Sequence, residues 1–321
     1  MKKLLAVLLM AALVATLGLG CAPAAPAAPA EPAAPAAGDA VKIGVSIANF
    51  DDTFLTYMMD GMKASEGTLE GVEVTYVDAK EDAATQLSQV ENFITQGMQS
   101  IVIVPVNTEA TAPITEACTK ANVNLVYVNR LPANLPDNVT FVGSNSIDAG
   151  IFQMEYLGEK MGGKGNIVIM MGKLDNEAAI KRTEGVKKVI AEKYPEIKVL
   201  AEQTGNWSRA EGMTLMENWL AGGDAINAVC ANNDDMALGA INALEAAGKL
   251  SETMVGGVDC TPDAVQAVKD GKLTCTVFQD AAGQGGGGIE AAYKKAKGEA
   301  VDKEVWIPFK LVTPDNVAEF E

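Results

Sequence analysis

The constraint that most narrows the fold of this chain is an alternation. From residue 41 onward, short apolar runs of strand length take turns with longer stretches whose apolar residues recur at helical spacing. Strands are expected at 41–48, 72–78, 100–106 and 124–128, with helices at 53–65, 81–98 and 111–121. In the second helix Leu87, Val90 and Ile94 share one face. After Gly143-Ser144-Asn145-Ser146 the rhythm restarts. Helices are expected at 148–161, from the 171–176 loop through 194, and at 208–220, 236–247, 261–270 and 283–297. The strands between them are 166–170, 199–203, 228–231, 254–258 and 273–279, followed by a strand-like tail at 306–308. Such repeats give parallel sheets with right-handed crossovers. The expected fold class is therefore α/β: two similar three-layer domains, with a cleft between the carboxyl ends of two sheets. Clefts of that kind are preferred small-molecule sites.

The strand ends carry the chemistry. AVCANNDDMALG (228–239) and VGGVDCT (255–261) each begin as a buried strand and stop abruptly in polar residues. Other expected ends behave alike. The set is Asp52, Phe54, Asn107, Asn129, Arg130, Asn176, Arg182, Trp207, Asn233, Asp259 and Gln279. Carboxylates and amides suit vicinal hydroxyls, Arg supplies a fork of donors, and aromatic faces suit the C–H faces of a pyranose. Each residue also has a plain structural use. Asp52 suits a helix N-cap, Asn233 a helix entry, and Asp259 the turn into the helix that follows. Trp207 suits a core, and Arg182 a solvated helix face. Recurrence at strand ends in both halves is what favours a sugar or cyclic-polyol site.

Composition removes other classes. The chain has no histidine, so Ser-His and Cys-His catalysis and the commonest metal ligand are excluded. A net charge of -17 opposes nucleic-acid binding, and the apolar fraction of 48% supports a real core. The acidic residues have no calcium-loop spacing, so no metal and no cofactor are expected. Cys118, Cys230, Cys260 and Cys275 show no CxxC spacing; buried free thiols are expected, with disulfide pairings left open. GQGGGG (283–288) lacks the Lys-Ser/Thr of a phosphate loop and reads as a flexible entry to a helix near a domain crossover.

The first forty residues read as targeting. Two lysines precede an almost wholly apolar run, and Gly18-Leu19-Gly20-Cys21 resembles a bacterial lipobox, with Gly18 where Leu is usual. A signal peptide (1–20), lipidation at Cys21 and an Ala/Pro spacer (21–40) are expected. At about 3.1 Å per residue, that spacer spans on the order of 60 Å.

IGVSIANFDDTF, VNRLP, VGSNS, the loop from Gly172 to Arg182, GNWS, ANNDDMALGAINAL, GVDCTPDAVQAVKDGKLTCTV and Gln279 together resemble the periplasmic sugar-binding proteins of ABC importers. The likeness is to the glucose/galactose and ribose branch of the type I fold, over 41 to about 312. It implies two hinged domains, 41–144 plus 279–305 and 145–278 plus 306–321. It also implies roles. Asp52 binds hydroxyls and Phe54 stacks on the ring. Asn129, Arg182, Asn233, Asp259 and Gln279 hydrogen-bond the sugar, and Trp207 is the second stacking aromatic. The pattern is mixed. Asn176 and Ala178 stand where the galactose type has His and Asp, Arg130 and Gln279 match the ribose type, and the turn at 162–165 is too short for a calcium loop.

The expected function is a lipid-anchored, extracytoplasmic, monomeric binder of a monosaccharide or cyclic polyol (aldohexose, pentose or myo-inositol), delivering it to an ABC permease, and not an enzyme. The alternatives are a binder of a nucleoside or furanose signalling molecule, and a protein presenting its ligand to a chemoreceptor.

Overall fold

The computed structural model describes residues 40–321. The expected signal peptide, Cys21 and the spacer up to residue 39 lie outside the described residues.

The first half runs β1 (Val41–Ile47), α1 (Thr53–Glu66), β2 (Val72–Asp78), α2 (Ala83–Thr95), β3 (Ser100–Ile103), α3 (Ala112–Ala121), β4 (Asn124–Val128) and β5 (Thr140–Gly143). The second runs α4 (Ser146–Lys160), β6 (Lys164–Met171), α5 (Glu177–Lys193), β7 (Glu196–Thr204), α6 (Arg209–Ala221), β8 (Ala228–Ala231), α7 (Asp234–Ala246), β9 (Met254–Gly256), α8 (Pro262–Lys269) and β10 (Thr276–Phe278). The chain closes with α9 (Ala281–Ala296), β11 (Glu304–Trp306) and β12 (Lys310–Val312).

Two sheets result. The first is parallel throughout, in the order β11-β5-β4-β3-β1-β2. The second is parallel in the order β7-β6-β8-β9, and parallel bridges Gly256↔Cys275 and Asp259↔Phe278 carry it on to β10, which pairs antiparallel with β12. Parallel strands are buried on both faces and so read as unbroken apolar runs. Ile43, Val45 and Ile47 of β1 are all fully buried. Each such side chain contributes about 1.5–3 kcal/mol relative to exposure.

The chain passes between the sheets three times: after Gly143, around Gln279, and after Trp306. Two strands went unread in sequence. β5 is only four residues long, and β12 follows Pro308-Phe309 without a helical neighbour to mark it. The run expected as one strand at 273–279 is extended only over Cys275 and β10, because 270–274 first turns out of α8.

One expectation is overturned. GQGGGG is not a flexible entry; it is the body of the first turns of α9, capped by Asp280, whose Oδ1 accepts from Gly283 N–H at 2.7 Å. The glycines let α9 lie directly on α1. A Cβ at Gly285 would sit 2.1 Å from Met58 O, and one at Gly61 would sit 2.5 Å from Ala282 Cα. Glycine costs a helix about 1 kcal/mol per residue relative to alanine, which close backbone packing here offsets. The second lobe uses the same device. Gly150 on α4 faces Arg182 O on α5, and Gly239 on α7 faces Arg209 O on α6, with added Cβ atoms at 1.9 and 2.1 Å.

Candidate ligand site

Ten of the eleven residues singled out at the expected strand ends line one cavity between the carboxyl ends of the two sheets. Asp52, Phe54, Asn129, Arg130 and Gln279 approach from the first sheet and its crossing strand, and Asn176, Arg182, Trp207, Asn233 and Asp259 from the second. Leu55 and Ala178 complete the wall. The space outside the atoms is about 320 Å³. Asn107 is not among its lining residues; its Oδ1 accepts from Glu109 and Ala110 N–H and closes a local turn.

Three of these side chains cap helices while lining the cavity, a use foreseen for Asp52 and Asn233 and not for Asn176. Asp52 caps α1, its Oδ1 accepting from Leu55 N–H at 2.9 Å. Asn176 caps α5 through Ala178 N–H (3.0 Å), and Asn233 caps α7 through Met236 N–H (3.0 Å). A short polar side chain at a strand-to-helix switch caps with one arm and leaves the other for the cleft. Asn233 Nδ2 also donates to Trp207 O at 3.2 Å.

Arg182 is not the solvated surface charge that its helix position alone suggested; it is 5% exposed. The glycine contact with α4 brings its backbone inward, and its side chain follows. Nη1 donates to Asn232 O and Nη2 to Gln279 Oε1, each at 2.6 Å, and Nη1 lies 3.7 Å from Asp259 Oδ1. The guanidinium stands 5.7 Å from the Trp207 ring and 5.9 Å from Phe309. Two buried donors of the site, Arg182 Nε and Trp207 Nε1, have no protein partner among the described residues. Arg130 donates from Nη1 to Pro105 O at 2.9 Å.

Burial raises the Asp259 carboxyl well above its ordinary value, with Arg182 opposing. Burial raises Asp52 too, with Arg130 opposing. Behind them Asp234 accepts from Thr261 N–H (2.8 Å) and Thr276 Oγ1 (2.7 Å), and burial pushes it up to about 7. The backbone is also held away from its easiest conformations. Asn129, Trp207 and Asp259 have φ of +66°, +65° and +125°. Such positions cost on the order of 1–3 kcal/mol each and cluster at binding sites.

Direct contacts join the lobes beside the cavity. Thr53 Oγ1 donates to Asp235 Oδ2 at 2.7 Å, while Arg209 holds Asp235 from the other side. Thr108 N–H donates to Asp175 O (3.0 Å), Glu177 N–H donates to Thr108 Oγ1 (3.1 Å), and Lys173 pairs with Glu81. Asp235, in the first turn of α7, is thus a bridge between the lobes. Gln284, Ser144 and Asn232 were missed altogether. Gln284, the lone polar residue in a glycine run, was the one with a visible signal.

The four cysteines of the described residues are free; Cys118, Cys230 and Cys275 are buried, and Cys260 is partly exposed. Among the described residues no group of His, Cys, Asp and Glu forms a metal site, and no helix is long and apolar enough to cross a membrane.

A two-lobed α/β body with its polar strand ends gathered in an interlobe cavity defines a class, and comparison agrees. Residues 43–300 match the periplasmic binding protein domain, and the chain belongs to that family. A Rhizobium meliloti protein named for rhizopine binding is 46% identical over 290 residues, which is 89% of this chain and 94% of that relative. A xylitol-binding protein of Mycolicibacterium smegmatis is 35% identical over 280 residues, 87% of this chain and 79% of that one. A solved ABC transporter solute-binding protein from Bacillus halodurans, with bound myo-inositol, superposes with a TM-score of 0.85 at 45% identity, covering 89% of this chain and 99% of its own.

Proposed function

We propose that the chain captures a compact polyhydroxylated ring, with myo-inositol the first candidate, outside the cytoplasm and hands it to an ABC permease. The observation that carries this reading is the cavity wall. Two carboxylates, Asp52 and Asp259, come from opposite lobes, with amides and guanidiniums between them and the Phe54 and Trp207 rings in the same wall. Hydroxyls around a ring offer a donor and an acceptor at each carbon, and this wall supplies both on both sides. The 45% identical protein with myo-inositol bound supports the cyclitol over an open-chain sugar alcohol.

Capture proceeds by closure of two hinged domains, 41–144 plus 279–305 and 145–278 plus 306–321. The ligand favours closure only through contacts that need both lobes. Lipidation at Cys21 and the Ala/Pro spacer hold the binder near the bilayer.

The test is a thermal-shift panel of myo-inositol, xylitol, ribose, glucose and a nucleoside. A ligand at a hundred times its Kd stabilises by about 2.7 kcal/mol. The expected result is the largest shift with myo-inositol, lost in Asp259→Ala. A shift with the nucleoside alone, or with nothing, overturns the reading.

A further inference from the structure

We infer that Gln284 is a positioning residue that fixes the hydrogen-bonding polarity of one wall of the ligand cavity and ties it to two of the interlobe crossings. The inference rests on the polyol-binding reading above. Gln284 does not line the cavity and is completely buried on α9. Its single carbonyl oxygen accepts from two cavity amides, Asn129 Nδ2 at 2.9 Å and Gln279 Nε2 at 3.5 Å. Its own Nε2 donates to Ser144 Oγ at 2.8 Å.

An amide has two faces of opposite character, and which one it shows a ligand depends on what holds the other. Gln284 holds the nitrogen of both neighbours. Asn129 therefore keeps its Oδ1 free of protein donors, as an acceptor for a ligand hydroxyl. Gln279 turns its Oε1 to Arg182 Nη2, and Arg182 in turn reaches Asn232 O. That leaves Arg182 Nε as the donor without a protein partner. One buried amide thus sets an acceptor on the first lobe and, through Gln279, the orientation of a donor on the second.

Ser144 and Gln279 lie on two of the three segments that pass between the lobes. Gln284 joins those segments to Asn129, so the hinge and the wall share one hydrogen-bonded group. The glycines beside it serve the same end. A Cβ at Gly288 would meet Val128 Cγ2 at 2.5 Å, so α9 approaches β4, the strand that carries Asn129, as closely as a helix can.

The experiment compares Gln284→Met with Gln284→Glu. Methionine keeps length and volume and removes every hydrogen bond. Glutamate keeps the oxygen that accepts from both amides, and the Ser144 hydroxyl can turn to donate to it. Titration calorimetry with myo-inositol and with xylitol should show Gln284→Met weakening myo-inositol by tenfold or more, with the ratio of the two affinities changed as well. Gln284→Glu should stay within about threefold of the parent for both, since the two amides remain oriented. A merely structural role predicts a common loss for both ligands and no recovery with glutamate, and that pattern overturns the inference. Side-chain amide resonances of Asn129 and Gln279 in labelled protein give a readout that needs no ligand. They should move in Gln284→Met and hold in Gln284→Glu. If the parent binds neither polyol, the functional reading fails, while unmoved resonances in Gln284→Met would separately refute the amide geometry.

Discussion

The two walls of the cavity are built on different principles. The first-lobe wall is polar but largely settled: Asn129 and Gln279 are held through Gln284, and Arg130 rests on Pro105 O. The second-lobe wall is held in tension. It buries Arg182 and Asp259 3.7 Å apart, leaves Arg182 Nε and Trp207 Nε1 without partners, and carries positive φ at Trp207 and Asp259. A buried polar group without a partner costs about 1–3 kcal/mol, and a ligand that supplies the partner returns it. On the proposed function, one wall orients the ligand and the other draws it in.

The sharpest way to break that comparison is to remove one residue from each wall. Arg182→Met removes the one cation opposing burial at Asp259 and strips Asn232 O and Gln279 Oε1 of their donor, and should destabilise the protein by about 3–5 kcal/mol in urea unfolding. Asn129→Ala should cost only about 1–3 kcal/mol. Equal losses would erase the distinction.

A pH series probes the same tension from behind the second wall. Asp234 is pushed up from 3.8 to about 7 in the folded protein. Between those values the native state keeps a proton that the unfolded chain has released. The contribution of Asp234 to native stability is therefore greatest below pH 4, falls as pH rises, and is lost above about 7. Asp234→Asn can accept from Thr261 N–H and donate to Thr276 Oγ1, so its denaturation midpoints should vary less with pH across that window. An unchanged slope would place the loss elsewhere.

The smallest effect is expected at Gly172. Its absent Cβ would lie 2.0 Å from Trp207 Cζ2, so Gly172→Ala must swing the indole out of register. Myo-inositol affinity should fall about tenfold, or ~1.4 kcal/mol, by calorimetry. Full affinity would show that Trp207 is packing and not platform.

The alternation of strand and helix was legible because parallel strands must be apolar throughout and their helices must be amphipathic. Several cavity residues were legible for a related reason: Asn129, Asn233, Asp259 and Gln279 interrupt apolar runs where strands stop. Gln284 was not, since its partners lie 155 residues away at Asn129 and 140 away at Ser144, and no local pattern encodes such a contact. The glycine run misled for the same reason. Its meaning is in the backbone of α1, which the local sequence of α9 does not display. Arg182 looked like a surface charge because its neighbours on α5 are solvated, whereas Gly150 on another helix is what draws it inward.

The α1–α9 seam has a consequence for the order of assembly. The first lobe starts at β1 but needs α9 and β11 to complete its layer and its sheet edge, and those arrive more than 200 residues later. The second lobe, apart from β12, is contiguous from α4 to β10. Contacts between distant residues close slowly because the intervening chain must first be ordered. During synthesis, which runs from the amino terminus, the half made first is thus the half that finishes last. The helix that clamps it shut also carries Gln284, so the amide arrangement at Asn129 is fixed only when the final segment docks.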